Sequence, residues 1–284
     1  MSKIKVSELF WSCQGEGLFV GVPSIFLRTF GCNFTCSGFG MPRGAKSQER
    51  FNVDPNQYKS FSELPLLQTG CDSAYSWDPR FKDFSPLMDV PSIVDQIVSL
   101  LPNGTFSKDK HLIITGGEPL LGWQRSYPYL LDEIQNREMG LTDITFETNG
   151  TQFVSEELAY HLTNLHYIKK VTTTFSVSAK LPCSGEKWED AIKPDRIFQY
   201  QNLPGSNVYL KFVVATEEDV KDVHQAVQEY RDSGFSGSVY LMPVGGVDTV
   251  YFLNNKTVAE LAMKNGYRYS PRMQVDLWKN RWAS

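Results

Sequence analysis

The chain has 284 residues, 41% hydrophobic, 13% aromatic and 21% charged, with a net charge of −4 and an isoelectric point near 5.7. That apolar share supplies a buried core and excludes a globally disordered chain, while the charge excludes a protein that coats nucleic acid through overall positive potential. No run approaches the roughly 20 apolar residues of a membrane span, and the opening MSKIKVSELFWSCQGEG lacks the apolar stretch of a secretory signal, so a cytoplasmic protein is expected.

After a polar opening, Ser24–Phe30 (SIFLRTF) is predicted as a strand that carries one charge, Arg28, and runs into Gly31 and Cys32. Residues 37–70 dissolve into Gly, Pro, Lys, Gln and Ser, and read as an inserted loop or lid longer than the ~12–15 residues usual for a structureless connection. From Pro91, Ile93, Val94, Ile97, Val98 and Leu101 recur at helical spacing with Ser92 as the expected N-cap. Strands are then predicted at His111–Thr115, Asp143–Glu147, Thr173–Ser178, Val208–Val214 and Ser238–Met242. Helical patterns lie near 124–137, 155–164, 186–200, 217–232 and 256–264. Alternation of this kind predicts parallel strands joined by crossover helices in one α/β domain spanning 1–284.

Each predicted strand but one, His111–Thr115 included, ends in a small polar cluster: Gly31-Cys32, Gly116-Gly117-Glu118, Glu147-Thr148-Asn149, Ser178-Ala179-Lys180 and Pro243-Val244-Gly245-Gly246. In parallel α/β folds ligands bind at that rim, so five such clusters point to a site, although each alone is ordinary turn chemistry. The final 21 residues hold five cations (Lys264, Arg268, Arg272, Lys279, Arg281) against Asp276, interleaved with Tyr267, Tyr269, Trp278 and Trp282. The expected form is a packed tail with snorkelling cations.

Five cysteines, at 13, 32, 36, 71 and 183, are too few and too odd in number for a disulfide scaffold. Cys32 and Cys36 form a C-x₃-C pair after the first predicted strand. Zinc sites prefer C-x₂-C knuckles with four ligands, and the histidines at 111, 161, 166 and 224 complete no such set. An iron–sulfur cluster is the alternative and requires a third thiolate. Phe39 stands where one is expected; Cys71, just past the insertion, is the candidate.

These residues carry a resemblance. Radical S-adenosylmethionine (SAM) enzymes place a cysteine loop after the first strand of a partial (β/α)₆ barrel and a GGE-type motif after the second, where Gly116-Gly117-Glu118 stands here. Within that superfamily the chain resembles the 7-carboxy-7-deazaguanine synthase family of the queuosine-type pathway. The carriers are Gln14-Gly-Glu16-Gly17, Gly21 to Arg28, Gly31-Cys32, Cys71-Asp72-Ser73-Ala-Tyr75-Ser76-Trp77, Glu147-Thr148-Asn149-Gly150, Ser176 to Leu181, and Ser270-Pro271-Arg272-Met273-Gln274. They span nearly the whole chain. Two departures stand out: Phe39 near the usual place of the third cysteine, and Ser73 where the family has Thr.

The resemblance implies a 4Fe–4S cluster on Cys32, Cys36 and Cys71, with one iron open to SAM. It implies SAM contacts from Gly116, Gly117, Glu118, Asn149, Ser178 and Lys180, and a Mg²⁺ on the Ser73 hydroxyl. Gln14 and Glu16 would read the pterin edge, and Arg28 the carboxylate of 6-carboxy-5,6,7,8-tetrahydropterin. No protein side chain is expected to act as the catalyst, since cleaved SAM supplies a 5′-deoxyadenosyl radical. A flavodoxin- or ferredoxin-like reductant and a homodimer are family-level expectations, with no membrane or direct nucleic-acid partner. Cys13 and Cys183 are expected bystanders, and Tyr75, Trp77, Phe81 and Phe84 a packing cluster. The rival readings are a glycyl-radical-enzyme activase of the same superfamily and a zinc-stabilised, non-enzymatic binding protein.

Overall fold

In the computed structural model, residues 2–106 and 109–284 are described. Nine strands make one sheet: β1 (Lys3–Cys13), β2 (Pro23–Thr29), β3 (Leu87–Asp89), β4 (His111–Gly116), β5 (Asp143–Thr148), β6 (Thr172–Val177), β7 (Ser206–Val214), β8 (Val239–Pro243) and β9 (Arg268–Tyr269). Their spatial order is β3-β1-β2-β4-β5-β6-β7-β8-β9. From β2 to β9 every pairing is parallel, while β1 runs antiparallel to both β2 and β3. All six predicted strands are present.

Period-two alternation decides what each strand shows to each side. In β7, Leu210, Phe212 and Val214 enter the main core, whereas Lys211 and Val213 line a cleft on the other face. In β6, Phe175 and Val177 face the core and Ser176 the cleft; in β2, Leu27 faces the core and Arg28 the cleft. The core side is covered by α1 (Val90–Leu100), α2 (Tyr127–Asn136), α3 (Glu156–Lys169), α5 (Pro194–Gln201), α6 (Glu217–Asp232) and α7 (Asp248–Lys264), whose apolar stripes join the same cluster. Two short helices, α4 (Trp188–Ala191) and α8 (Met273–Trp278), complete the set.

Several expectations are corrected. The polar opening is an eleven-residue strand, β1, whose lysines, serine and glutamate mask the alternation and whose register shifts between Val6 and Glu8. The cap of α1 is Asp89, which accepts from the Ser92 backbone N–H at 2.9 Å, so Ser92 lies inside the first turn. The predicted helix 186–200 is split into α4 and α5, because Pro194 disfavours helical geometry at Lys193. Helix α7 starts at Asp248, eight residues before the pattern predicted at 256.

The 37–70 segment folds as short 3₁₀ turns at Glu49–Asn52, Pro55–Gln57 and Phe61–Glu63. Its ends are drawn together by backbone bonds from Ser47 N to Ser37 O and from Gly70 N to Phe39 O, each 2.7 Å. It has a small core of its own, in which Val53, Phe61, Leu64 and Leu67 pack with Ala74, Tyr75 and Phe81. Tyr75, Trp77, Phe81 and Phe84 thus pack as expected. The C-terminal tail also packs, with Trp282 against this core and the Lys279 ammonium over Phe252. Arg272 departs from the snorkelling expectation: it is buried.

Candidate functional site

One cleft opens at the C-terminal ends of the parallel strands and is bordered by residues from nearly every rim loop. Cys32 and Cys36 come from the loop after β2, and Cys71 from the end of the insertion; all three line the cleft and pack with Phe34 and Phe39. The C-x₃-C loop is fixed from outside. The Glu186 carboxylate accepts the backbone N–H groups of Thr35 at 2.9 Å and Cys36 at 2.7 Å, and Cys36 sits at φ 46°. Gly117 closes the other side, since a Cβ there would fall 2.5 Å from the Gly31 carbonyl and 2.7 Å from Cys32 Cβ. Only glycine lets the GGE turn approach the cysteine loop so closely.

The sulfurs receive directed donors. The Phe34 N–H points at Cys32 Sγ and the Trp77 indole N–H at Cys71 Sγ, both at 3.4 Å, with the Ser73 hydroxyl also 3.4 Å from Cys71 Sγ. Burial pushes the Cys32 thiol up to about 12 and raises Cys36 and Cys71 as well. These are thiols in a medium that penalises thiolate unless a cation compensates it. Among the described residues, no three His, Cys, Asp or Glu side chains form a group that could hold a single metal ion. Three thiols on one cleft, two of them receiving N–H donors, are the donor type that iron–sulfur clusters take. One tetrahedral ion draws its sulfurs to about 2.3 Å from a common point, whereas a cubane takes each thiolate on a separate iron. The thiols and their N–H donors therefore fit an iron–sulfur cluster.

Beside the thiols, Gly116, Gly117, Asn149, Ser178 and Lys180 line the cleft. The Lys180 ammonium donates to Ser178 Oγ at 3.0 Å, and the Asn149 amide donates to Asn33 Oδ1 at 2.9 Å, tying the β5 rim to the cysteine loop. Glu118 is placed differently. It is fully buried behind the cleft, accepting from the Leu120 N–H (3.0 Å), the Thr148 hydroxyl (2.7 Å) and the Asn149 N–H (2.6 Å). Burial raises its carboxyl to about 7 against those three bonds.

Gln14, Glu16, Arg28 and Ser73 also line the cleft, with Ser73 beside Cys71. Gln14 donates to Glu147 at 3.0 Å and accepts the Glu16 N–H at 2.9 Å. Burial pushes the Glu16 carboxyl up, but the Lys211 ammonium and the Arg272 guanidinium override it and hold it well below the usual carboxylate range. Gln274 adds a donor at 2.8 Å. Arg28 is paired by Nε with Glu8 at 2.7 Å, its cross-strand neighbour on β1. Of the two expected bystanders, Cys13 borders the cleft and Cys183 does not; the Cys183 thiol donates to Val213 O at 3.5 Å.

No family model matches the chain. Curated relatives do, end to end. A 7-carboxy-7-deazaguanine synthase of Halobacterium salinarum is 28% identical, with 98% of this chain and 91% of that protein covered. One of Pyrobaculum aerophilum is 27% identical over 98% and 96%. Over nearly its whole length the chain is thus similar to 7-carboxy-7-deazaguanine synthases. Among solved structures, QueE from Escherichia coli superimposes with a TM-score of 0.54 over 95% of this chain and 93% of that one, at 19% identity, a likeness of fold.

Sequence reasoning missed Lys211 and Glu186, and it left Glu147, Arg272, Gln274 and Trp282 without a role in the site. For Lys211 a signal existed: a lone lysine inside VYLKFVV is the same anomaly as Arg28 inside SIFLRTF. For Glu186 and Trp282 there was none, because their partners lie some 150 and 218 positions away.

Proposed function

We propose that the chain converts 6-carboxy-5,6,7,8-tetrahydropterin to 7-carboxy-7-deazaguanine with release of ammonia, in 7-deazapurine biosynthesis. The conversion balances: removing one NH₃ from the substrate leaves the atoms of the product, so no net oxidant or reductant is consumed. The observation that carries the reading is the convergence of Cys32, Cys36 and Cys71 on a cleft shared with the Gly116-Gly117 turn. End-to-end similarity to the synthases favours this activity over a glycyl-radical activase or a zinc-stabilised binding protein.

We read the sheet as the partial (β/α)₆ barrel of radical SAM enzymes, with the insertion as a lid within one domain. Cys32, Cys36 and Cys71 would hold a 4Fe–4S cluster, which together with SAM supplies a hydrogen-abstracting radical. Gly116 and Gly117 would present backbone groups to the SAM amine, with Glu118 bracing them from behind. Asn149, Ser178 and Lys180 would take its ribose and carboxylate. Arg28, whose Nε is spent on Glu8, would offer its outer nitrogens to the substrate carboxylate. Gln14 and Glu16 would meet the pterin edge; the ionised Glu16 is suited to accept from amide and amino groups. Ser73 would ligate Mg²⁺ together with substrate oxygens. A low-potential protein reductant would deliver the electron, in the cytoplasm, with a homodimer as the assembly.

The deciding experiment is anaerobic reconstitution with iron and sulfide, then incubation with SAM, dithionite and the carboxytetrahydropterin. Formation of the deazapurine is expected; SAM cleavage without it overturns the synthase reading. Cys71→Ala should abolish cluster uptake and product, and Cys183→Ala should leave both intact. The reverse pattern would remove Cys71 from the ligand set.

A further inference from the structure

Arg272 is 7% exposed and joins three separate parts of the cleft wall. Its Nη2 donates to Asp72, the residue after Cys71; its Nη1 donates to the Gly245 carbonyl in the loop after β8; and its Nε donates to Glu16 at 3.2 Å. Its own backbone N–H is fixed on the Tyr251 hydroxyl at 3.2 Å. From the other side the β8 rim loop presses directly on Asp72, since a Cβ on Gly246 would lie 2.7 Å from Asp72 Cβ.

We propose that Arg272 is a positioning residue that sets Cys71 through Asp72 and Glu16 through the same guanidinium, locking the cluster side and the substrate side of the cleft together. The proposal rests on the synthase reading for the roles of Cys71 and Glu16; the clamp itself rests on geometry. The physical need for it comes from the insertion. Cys32 and Cys36 share one short loop, but Cys71 follows 34 intervening residues, so chain connectivity leaves its place nearly free. Backbone bonds from Gly70 to Phe39 and from Gly31 to Ser76 bring the chain on either side of Cys71 back to the cysteine loop, and Arg272 anchors the side chain next to the thiol. A planar guanidinium suits this task because its donors diverge in fixed directions toward three acceptors, whereas an ammonium on a flexible stem would satisfy them without fixing their angles. Asp72 supplies the attachment one residue from the thiol.

The test uses the full chain as Arg272→Ala, Arg272→Lys, Asp72→Asn and the Arg272→Ala/Asp72→Asn double variant, with circular dichroism to confirm folding. Asp72→Asn is isosteric and its side chain is partly solvent-facing, so it keeps the question open if Arg272→Ala does not fold. The first readout is independent of any cluster: the alkylation rate of Cys71 by iodoacetamide in cluster-free protein, followed by peptide mass spectrometry. Cys71 should react at least tenfold faster in Arg272→Ala and Asp72→Asn, no faster in the double variant than in either, and at an intermediate rate in Arg272→Lys, with Cys183 unchanged throughout. The second readout is the electron paramagnetic resonance spectrum and iron content after reconstitution, expected to show at least a twofold loss and an altered signal in the same variants. Wild-type Cys71 reactivity in folded Arg272→Ala or Asp72→Asn overturns the clamp, as do effects that multiply in the double variant. A wild type that alkylates as expected yet takes up no iron overturns the cluster reading and leaves the clamp standing.

Discussion

The loop from Cys32 to Cys36 is five residues long and is held by its backbone, whereas Cys71 arrives after a 34-residue excursion whose core packs against Trp282 from the far end of the chain. On the short side, Glu186 takes two consecutive amides, the Gly117 turn leaves no space for movement, and the Glu118 N–H donates to Gly31 O at 2.8 Å. On the long side, the insertion has its own small core, closed by Trp282: its indole N–H donates to Leu64 O at 2.7 Å and its ring meets Phe61 edge-on at 4.9 Å. A short loop can be shaped by local hydrogen bonds because few dihedrals are free. A long one needs apolar burial and charged anchors to offset its ordering entropy. Arg43 adds such an anchor, reaching Asp222 at 2.8 Å at the start of α6.

The largest break in this contrast should come from Trp282→Ala. It strips the closing aromatic from a core of only seven buried residues. We expect a local cost of about 3 kcal/mol, at the lower end for a large aromatic because Trp282 is half-buried. The loss should fall on the insertion alone. Trypsin should cut within 37–70 while the sheet stays protected, and Cys71 should become accessible without change at Cys32. Cleavage spread over the whole chain would mean that the tail supports the sheet rather than the insertion.

A comparable effect, of opposite logic, concerns the buried brace behind the short loop. Glu118 is raised from the usual 4.5 to about 7 because burial penalises its charge. Between those values the folded state keeps a proton that the unfolded state has released, so stability is full below pH 4.5 and falls as pH rises through 7. A shift of that size corresponds to a few kcal/mol, on the order of 3. Glu16 carries the contrary sign: its depressed carboxyl contributes stability above pH 4.5 that is lost as pH falls below it. Denaturant midpoints of Glu118→Gln at pH 5 and pH 8 should differ less than those of wild type. An unchanged slope would place the pH dependence elsewhere.

The same contrast explains what could be read in the sequence. The six predicted strands announced themselves because Leu27, Ile114, Phe146, Phe175, Phe212 and Leu241 recur in apolar runs, all but one of which end in Gly or small polar residues. Helix α6 (Glu217–Asp232) matches the helical pattern predicted near 217–232, and the structure adds a capping box of Thr216 and Asp219 at its start. Strand β1 was not, because Lys5, Ser7 and Glu8 interrupt its alternation and its partner β2 decides its fate. The thiols were found by type and order. What holds them was invisible, since Glu186 and Trp282 are ordinary residues whose partners are set only by tertiary folding. Arg28 illustrates the middle case. A charge in an apolar strand demanded a partner, and the nearest one, Glu8, lay on the strand that sequence had not revealed.

The smallest expected effect is the most local. Glu186→Gln keeps one carbonyl oxygen but removes the charge that the Thr35 and Cys36 amides share through Oε1. Charge-assisted bonds are worth about twice neutral ones, so the loss should be about 1–2 kcal/mol. Because Cys36 sits at φ 46°, a conformation that non-glycine residues adopt only when held, the loosened loop should relax toward negative φ and carry its thiol away from Cys32. That cost should fall on the loop, which opens locally, rather than on the sheet. The sensitive measurement is therefore amide hydrogen exchange at residues 34–36, expected to rise about tenfold in Glu186→Gln while exchange in 37–70 is unchanged. Faster exchange in the insertion as well would mean that the two loops are one cooperative unit, and that the short loop is not independently shaped.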